Sequence, residues 1–375
     1  METMNAIFSA MKPNKRKTSY IRYHLPDTMK GLPAANTKVC PKGKAICDCD
    51  KVSKVSLKLK KLTNVKSAVR PYKKYTPPQP RNKDLPPCYN IILSSSPKGG
   101  GKSYNCVELL TSYEESGFVS SEGNDVRMRI IWVSGGTSRS KQNNILNTLK
   151  CLHDKDRIDV EDDIDDKLNE IYDSLLAERD TIEEYNEYRR VYKKFIKSNI
   201  AKMTDEELQL LEWKSYIDPT EDPDAPRDFD GNILYHYRMV FLVLDDMIGG
   251  DAFSNSKRSN FFNKLSVKSR HESDKLVGIN LFYITQNLKS IPAIIRRQTD
   301  IFVLLKSANR EYIIDNIATE IGSHFSKAEV AEYYDQIMKI PYGSLILSIH
   351  KNEKDECRVR SGWNHIVERD KKYIL

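Results

Sequence analysis

The sequence predicts an α/β fold with a mostly parallel central sheet. Short apolar runs typical of buried strands alternate with segments whose apolar residues recur at helical spacing. A glycine-rich loop follows the first of these runs and leads into a helical pattern, and two later runs end in carboxylate or amide side chains. Alternating strands and helices favour parallel pairing, because each helix returns the chain to the starting edge of the sheet.

Each strand or helix is predicted from the spacing of its apolar residues. Continuous apolar runs of strand length give the predicted strands YNIILSS, RIIWVSGG, YRMVFLVLDD, GINLFYITQ and IFVLLK, in that order. Helical spacing gives predicted helices at 103–116, about 141–149, about 260–271 and 326–340. Near the end of the sequence, GSLILSIH and ECRVRSG flank the polar turn KNEKD, which predicts a C-terminal β-hairpin.

An acidic segment interrupts the alternation. Residues 151–230 carry 12 Lys/Arg and 25 Asp/Glu, a net charge of −13. Three helical segments are predicted within it, at 165–178, 181–198 and 204–217, and Thr204 has the position of an N-cap. We interpret the segment as a helical insertion, for which a solvated hairpin without chemistry is the plainest role.

The N-terminal part of the chain is basic. Residues 1–90 carry 20 Lys/Arg and 5 Asp/Glu, a net charge of +15. We expect 1–87 to be a Pro- and Lys-rich, largely disordered arm and 88–375 to form one domain. A polycationic arm favours a polyanionic partner, most often nucleic acid. Within it, Cys40, Cys47 and Cys49, with Cys88, offer a weak zinc pattern that lacks a paired C-x-x-C.

The composition of the chain argues against a secreted, disulfide-bonded protein and against a membrane-spanning one. The seven cysteines show no closely spaced disulfide framework, and the chain begins with no signal peptide, so we expect a reduced, intracellular protein that is not secreted. No apolar run is long enough to span a membrane. With 39% hydrophobic residues in 375, the chain can still build a substantial core.

The glycine loop has the form of a phosphate cradle. In the P-loop pattern G-x-x-x-x-G-K-[ST], Gly101, Lys102 and Ser103 fill the last three positions, whereas Ser96 stands at the first glycine. Glycines expose backbone N–H groups, the lysine reaches the outer phosphates, and the serine hydroxyl ligates Mg²⁺. The predicted nucleotide-binding residues are Ser96, Pro97, Lys98, Gly99, Gly100, Gly101, Lys102, Ser103 and Tyr104.

Two later strand ends complete a nucleotide site. FLVLDD ends in Asp245 and Asp246. Asp245 is predicted to hold Mg²⁺, directly or through water, together with Ser103, and Asp246 is predicted to orient and deprotonate the attacking water. YITQ ends in Gln286, which we expect to contact the γ-phosphate and that water. Together with the glycine loop, these strand ends predict binding of ATP or GTP with Mg²⁺.

Hydrolysis by such a site gains from an arginine supplied by a neighbouring subunit. The candidates are Arg270, in KSRHES, and Arg296 or Arg297, in AIIRRQTD. A surface or DNA-facing cation is an equally good interpretation of each.

Taken in order, SSSPKGGGKS, FLVLDD, SRH, YITQ and IPAIIRRQTDIFVLLK resemble the poxvirus-type DNA-packaging ATPases of large eukaryotic DNA viruses. This family lies within the FtsK/HerA superfamily of DNA translocases, and the resemblance covers 88–375. Three features depart from the family pattern: Ser96 in the loop, the added residues ESDKLVG after His271, and the arm and insertion outside the shared core.

The resemblance implies a RecA-like ASCE P-loop NTPase fold, a homo-oligomeric ring, and ATP-driven pumping of double-stranded DNA into a capsid. It matches Lys102 and Ser103 to Walker A, Asp245 and Asp246 to Walker B, and Gln286 to the sensor. It also implies capsid or portal-vertex and nuclease partners, and a location in the infected host cell (virus factory, cytoplasm or nucleus) or in the virion. Two alternatives stay open: a nucleotide-switched nucleic-acid- or capsid-binding protein with little turnover, and a P-loop kinase.

Overall fold

We describe a computed structural model of the 375-residue chain. The chain divides into two compact units, Met1–Lys74 and Tyr75–Leu375. The residues that the structure describes are 20–21, 55–56, 78–87, 91–94, 100–120, 123–135, 144–160, 164–197, 202–246, 265, 279–322, 324–350 and 353–368. In the first unit these form one short antiparallel pair, β1 (Tyr20–Ile21) with β2 (Val55–Ser56).

The second unit contains the remaining elements. Its strands are β3 (Gln79–Pro80), β4 (Ile91–Ser94), β5 (Phe118–Val119), β6 (Asp125–Val126), β7 (Met128–Gly135), β8 (Arg157–Val160), β9 (Met239–Asp245), β10 (Ile279–Thr285), β11 (Ile301–Leu305), β12 (Ser344–Ser348), β13 (Val359–Ser361) and β14 (His365–Ile366). Its α-helices are α1 (Lys102–Ser116), α2 (Ile164–Lys197), α3 (Asp205–Trp213), α4 (Ala293–Arg297), α5 (Arg310–Ile321) and α6 (Lys327–Ile337). Short 3-10 helices lie at Asp154–Asp156, Leu288–Ser290 and Asp355–Cys357.

One nine-stranded sheet dominates the second unit. Its order is β14-β13-β12-β11-β4-β10-β9-β7-β8, and the six strands from β11 to β8 are parallel. Strand β10 lies between β4, which precedes the glycine loop, and β9, which ends in Asp245. The mostly parallel sheet and its helices confirm the predicted α/β fold class, and a strand inserted between β4 and β9 is the arrangement expected for the RecA-like ASCE fold.

Alternating side chains of the parallel strands fill two cores. On β9, Val240, Leu242 and Leu244 face a cluster that includes residues of α2, α5 and α6. Met239, Phe241 and Val243 face a second cluster built largely on α1. Parallel strands read as continuous apolar runs because both faces are covered in this way. The sheet therefore holds its strand ends in fixed positions.

The acidic segment is partly an extension of the main fold. The segments predicted as separate helices at 165–178 and 181–198 form one continuous helix, α2, because the residues between them include no glycine or proline. The first half of α2 packs on the sheet through Leu168, Ile171 and Leu175. The range 151–230 also contains β8, which pairs with β7 at the edge of the sheet.

The second half of α2 forms a helical hairpin with α3. Tyr188 and Val191 of α2 share a small buried cluster with Leu211 of α3. As predicted, Thr204 caps α3: its hydroxyl accepts from the Glu207 N–H, and the Glu207 carboxylate accepts from the Thr204 N–H.

A glutamate of α2 anchors the insertion to the amino ends of two strands. Glu178 accepts hydrogen bonds from Arg129 of β7, at 3.2 Å, and from Arg238, next to β9. Arg129 also forms a bidentate pair with Asp156. These contacts lie at the edge of the sheet opposite to the strand ends that carry Asp245 and Gln286, so they contribute to folding rather than to a site.

Residues 78–87, assigned to the arm from the sequence, belong to the second unit. Strand β3 pairs with β5, and β5 with β6, in a small antiparallel sheet. The Tyr113 hydroxyl donates to the Pro86 carbonyl at 2.9 Å, and Arg360 donates to the Asp84 carbonyl. The packed part of the chain therefore begins before Cys88.

The C-terminal hairpin is confirmed, with Leu345 paired antiparallel to Ser361. Helix α5 was missing from the sequence prediction. The predicted helix at about 260–271 lies outside the described residues except for the buried Leu265, and that at about 141–149 shows a short helical turn at 144–146. Among the helices that the structure describes, none is long and apolar enough to cross a membrane.

Candidate functional site

The glycine loop ends at the N-terminus of α1. Gly101 has φ +87°, in the left-handed region that glycine adopts without strain. Its carbonyl accepts from the Asn105 N–H at 2.9 Å and from the Asn105 side-chain amide at 3.2 Å. By helix geometry, the N–H groups of Lys102, Ser103 and Tyr104 have no carbonyl partner inside the helix. These donors form an anion-binding helix end of the kind that P-loops use.

The carboxyl ends of the parallel strands lie at the same edge of the sheet. Thr285 at the end of β10 is level with Ser94 at the end of β4, and Asp245 at the end of β9 is level with Ile284 of β10. The loop that follows β4 leads to α1. The sheet therefore brings the predicted Walker A residues next to the predicted Walker B residues, from parts of the sequence about 140 residues apart.

Ser103 and Asp245 are in direct contact. The Ser103 hydroxyl donates to Asp245 Oδ2 at 3.2 Å, and the Asp245 side chain is almost fully buried. Serine and carboxylate oxygens are the ligands that Mg²⁺ prefers, and Mg²⁺ bound by few protein oxygens also takes substrate phosphates. The two residues predicted to hold the metal therefore fit that role.

Electrostatics make Asp245 sensitive to a cation. Burial, and next the charge of Asp246, raise the pKa of the Asp245 carboxyl to about 7, while the Ser103 hydrogen bond and the Lys102 charge lower it. A bound divalent cation would offset both the burial and the neighbouring negative charge. Lys102 itself is only 7% exposed, so its ammonium group lies within the site rather than in bulk water.

Asp246 is held in a strained backbone conformation. Its φ is +50°, and its N–H donates to the Ile284 carbonyl at 3.1 Å. The Gln286 side-chain amide donates to Asp246 Oδ2 at 2.9 Å. The other carboxylate oxygen, Oδ1, is buried without a hydrogen-bond partner among the described residues. An unpaired buried carboxylate oxygen is the acceptor that a water proton would need.

The support behind Gln286 was not predicted from the sequence. The next residue, Asn287, accepts from the Tyr312 hydroxyl at 2.6 Å and from the Lys289 N–H at 3.0 Å. The Thr285 hydroxyl donates to the Asn287 carbonyl at 3.0 Å. Tyr312 lies in the first turn of α5, so this helix fixes the chain immediately after the proposed sensor. Only the position of Asn287 next to Gln286 could have pointed to it.

The arginine candidates differ in their surroundings. Arg296 donates to the Glu320 carboxylate at 2.7 Å and to the Ile291 carbonyl, so its guanidinium group is engaged within the chain. Arg297 is exposed. Arg270 and His271, like Ser96, Pro97, Lys98 and Gly99 of the loop, lie outside the described residues. The role of each arginine in a neighbouring site stays a prediction.

Other predicted features are not brought into the site. In the part of the chain that the structure describes, no group of three or more His, Cys, Asp or Glu side chains could hold a metal ion. The cysteines of the zinc pattern, Cys40, Cys47, Cys49 and Cys88, lie outside that part.

No model of a known protein family matches the sequence, and no curated protein matches it. Similar solved structures include the genome packaging NTPase B204 of Sulfolobus turreted icosahedral virus 2 in complex with AMPPCP, at 12% identity and TM-score 0.36, covering 73% of this chain and 96% of that one. They also include ATPases 2 and 3 of EssC from Geobacillus thermodenitrificans, at 12% identity and TM-score 0.32, covering 76% and 38%. The pCW3 conjugation coupling protein TcpA is similar at 13% identity and TM-score 0.32, covering 69% and 57%.

Proposed function

We propose that the chain is an ATPase that drives double-stranded DNA into a viral capsid. One arrangement carries the hydrolytic part: the Ser103 hydroxyl lies 3.2 Å from Asp245 Oδ2, and the Gln286 amide lies 2.9 Å from Asp246 Oδ2, beside the N-terminus of α1. This arrangement has a place for a nucleotide phosphate, for Mg²⁺ and for an attacking water.

Each residue has a defined part in the proposed reaction. The N–H groups at the start of α1 and the Lys102 ammonium bind the phosphates. Ser103 and Asp245 would hold Mg²⁺, which when bound would neutralise negative charge that develops on the phosphates. Asp246 accepts a proton from the attacking water through Oδ1, which has no hydrogen-bond partner among the described residues. Gln286 keeps Asp246 in place and contacts that water.

The DNA part of the proposal rests on charge and on the sequence motifs. Residues 1–90 carry a net charge of +15, which suits a phosphate backbone and predicts binding that is salt-dependent and largely independent of base sequence. The order of the Walker, SRH, TQ and P-x-x-I-R motifs supports a homo-oligomeric ring that translocates DNA. Capsid and nuclease partners and a site of action in the infected cell or virion belong to the same proposal.

The decisive test measures ATP hydrolysis by the full chain with and without double-stranded DNA. We expect Mg²⁺-dependent turnover that DNA stimulates, and rings visible by negative-stain microscopy with ATP and DNA. An Asp246→Asn protein should form the rings without turnover, which separates assembly from catalysis. ATP binding with no DNA-stimulated turnover would disprove the motor and leave a nucleotide-switched binding protein, which the basic arm fits equally well.

A truncation tests the part played by the arm. It should remove residues 1–74, because residues 78–87 pack on α1 and β13 and their loss would disturb the domain. We expect weaker DNA binding and a shallower dependence of affinity on salt. Unchanged affinity and an unchanged salt slope would show that the arm does not bind DNA.

A further inference from the structure

An aromatic side chain stands at the open side of the proposed phosphate site. The geometry points to Tyr104 as the platform on which the nucleotide base stacks. This inference rests on the proposed nucleotide binding, and it names the residue that binds the nucleoside, as distinct from the residues that bind phosphate.

Residues that the structure describes cover two sides of the site. A Cβ at Gly101 would lie 3.6 Å from Leu305 Cδ2, so the buried end of β11 covers that side. On the sheet side, Ser103 meets the buried Asp245. A nucleoside attached to phosphates at this helix end therefore extends over the solvent-facing side of α1.

Tyr104 is the aromatic residue on that solvent-facing side. It follows Ser103 directly and is 61% exposed, whereas Cys106, Leu109, Leu110 and Tyr113 of the same helix are fully buried. The Cα–Cβ bonds of a helix tilt towards its N-terminus, so the Tyr104 side chain leans towards the phosphate end rather than away from it. Single exposed aromatic residues are common on protein surfaces and do not by themselves indicate a site. The position of Tyr104 at the phosphate end of α1 is what indicates a role in binding.

The C-terminal hairpin bounds the platform on one side. The Trp363 indole N–H donates to the Asn105 carbonyl at 2.8 Å, and the Asn364 amide donates to the Glu108 carboxylate at 3.4 Å. Glu108 lies four residues after Tyr104, so the two side chains are neighbours on one helix face. The turn that carries Trp363 and Asn364 therefore packs on α1 through Asn105 and Glu108, beside the position of Tyr104.

This arrangement recognises a base by its aromatic face. Stacking on an aromatic side chain contributes about 1–3 kcal/mol per base, equivalent to about 5- to 150-fold in affinity, and tolerates different bases. It requires the ring and does not require the hydroxyl. Inorganic triphosphate carries no base, so its binding should not depend on Tyr104.

The test compares two ligands by calorimetry on the full chain: Mg²⁺–ATP and Mg²⁺–triphosphate. We expect Tyr104→Ala to weaken ATP binding by about 5- to 150-fold and to leave triphosphate affinity within about twofold. Tyr104→Phe keeps the ring and should restore ATP affinity. Trp213→Ala, which removes an exposed aromatic side chain from α3, is the matched control and should change neither ligand.

The outcomes separate this inference from the function on which it rests. Unchanged ATP affinity in Tyr104→Ala, or an equal loss for both ligands, would overturn the base platform while nucleotide binding stands. A wild-type chain that binds neither ligand would overturn the proposed nucleotide site, and the platform with it.

Discussion

The Ser103 hydroxyl donates a hydrogen bond to Asp245 Oδ2 at 3.2 Å and so joins the first turn of α1 to the carboxyl end of β9. Both oxygens belong to one proposed metal site, and a cation there would replace this hydrogen bond by two metal–oxygen contacts. Because Asp245 is buried beside Asp246, a substitution at Asp245 can measure the electrostatics of the site in the absence of nucleotide.

Asp245→Asn should change stability in a pH-dependent way. The pKa of Asp245 is raised from 3.8 to about 7, so between these values the folded chain binds more protons than the unfolded chain. The free energy of unfolding of the wild type therefore falls as pH rises from about 4 to 7, by up to about 4 kcal/mol. Asparagine carries no charge, so the variant should be more stable than the wild type at pH 8 and close to it at pH 4.

Urea denaturation without Mg²⁺ or nucleotide measures this difference. An equal difference between variant and wild type at both pH values would show that burial of the Asp245 charge is not its origin. Adding Mg²⁺–ATP at pH 8 should stabilise the wild type much more than the variant, because the variant has lost a metal ligand.

Lys102→Ala should weaken nucleotide binding strongly. The ammonium group lies within the site, where a charge-assisted hydrogen bond to phosphate contributes about 1.5–3 kcal/mol, at least about tenfold in affinity. Equilibrium binding of Mg²⁺–ATP measures the loss. The control is Lys193→Ala, on the exposed face of α2; similar losses in the two variants would contradict the assignment.

Asp246→Asn should bind ATP and stall. Asparagine adopts positive φ more readily than most residues, so the strained backbone at φ +50° should persist and only the basicity of the side chain is lost. A positioned general base contributes about 10²- to 10⁴-fold to rate, which sets the expected fall in kcat.

In Asp246→Asn, the rate of single-turnover hydrolysis should therefore fall while the affinity for ATP stays unchanged. Asp173→Asn, on an exposed face of α2, serves as the control for loss of one carboxylate. Normal hydrolysis by Asp246→Asn would show that another group takes the proton.

Tyr312→Phe tests the support behind Gln286. Loss of the hydroxyl removes the 2.6 Å hydrogen bond to Asn287 and should loosen the end of β10. We expect kcat to fall by about 3- to 10-fold with little change in KM, because the nucleotide contacts themselves are intact. Tyr342→Phe, at an exposed tyrosine, is the control. A rise in KM alone would indicate that Tyr312 acts on binding instead.

The sequence predicted those parts of the site that each depend on one local pattern of residues. The glycine loop, the acidic end of β9 and the amide end of β10 each follow a continuous apolar run, and parallel topology brought all three to one edge. The contact between Asp246 and Gln286 could not be predicted, since it depends on the register of β9 against β10. Helix α5 could have been found: Ile313, Ile314, Ile317 and Ile321 have helical spacing and all are buried.

Arg296→Ala and Arg297→Ala should differ in their effect on stability. Arg296→Ala leaves Glu320, which is 11% exposed, without its partner, and should lower the free energy of unfolding by about 2–3 kcal/mol. Arg297→Ala, at an exposed position, should lie within about 0.5 kcal/mol of the wild type. If Arg297 reaches a neighbouring site, Arg297→Ala subunits mixed with Asp246→Asn subunits should regain part of the turnover, because an intact arginine then faces an intact base at some interfaces. Full activity of Arg297→Ala alone, with folding intact, would exclude that residue and leave Arg270 and Arg296 as the arginines to test.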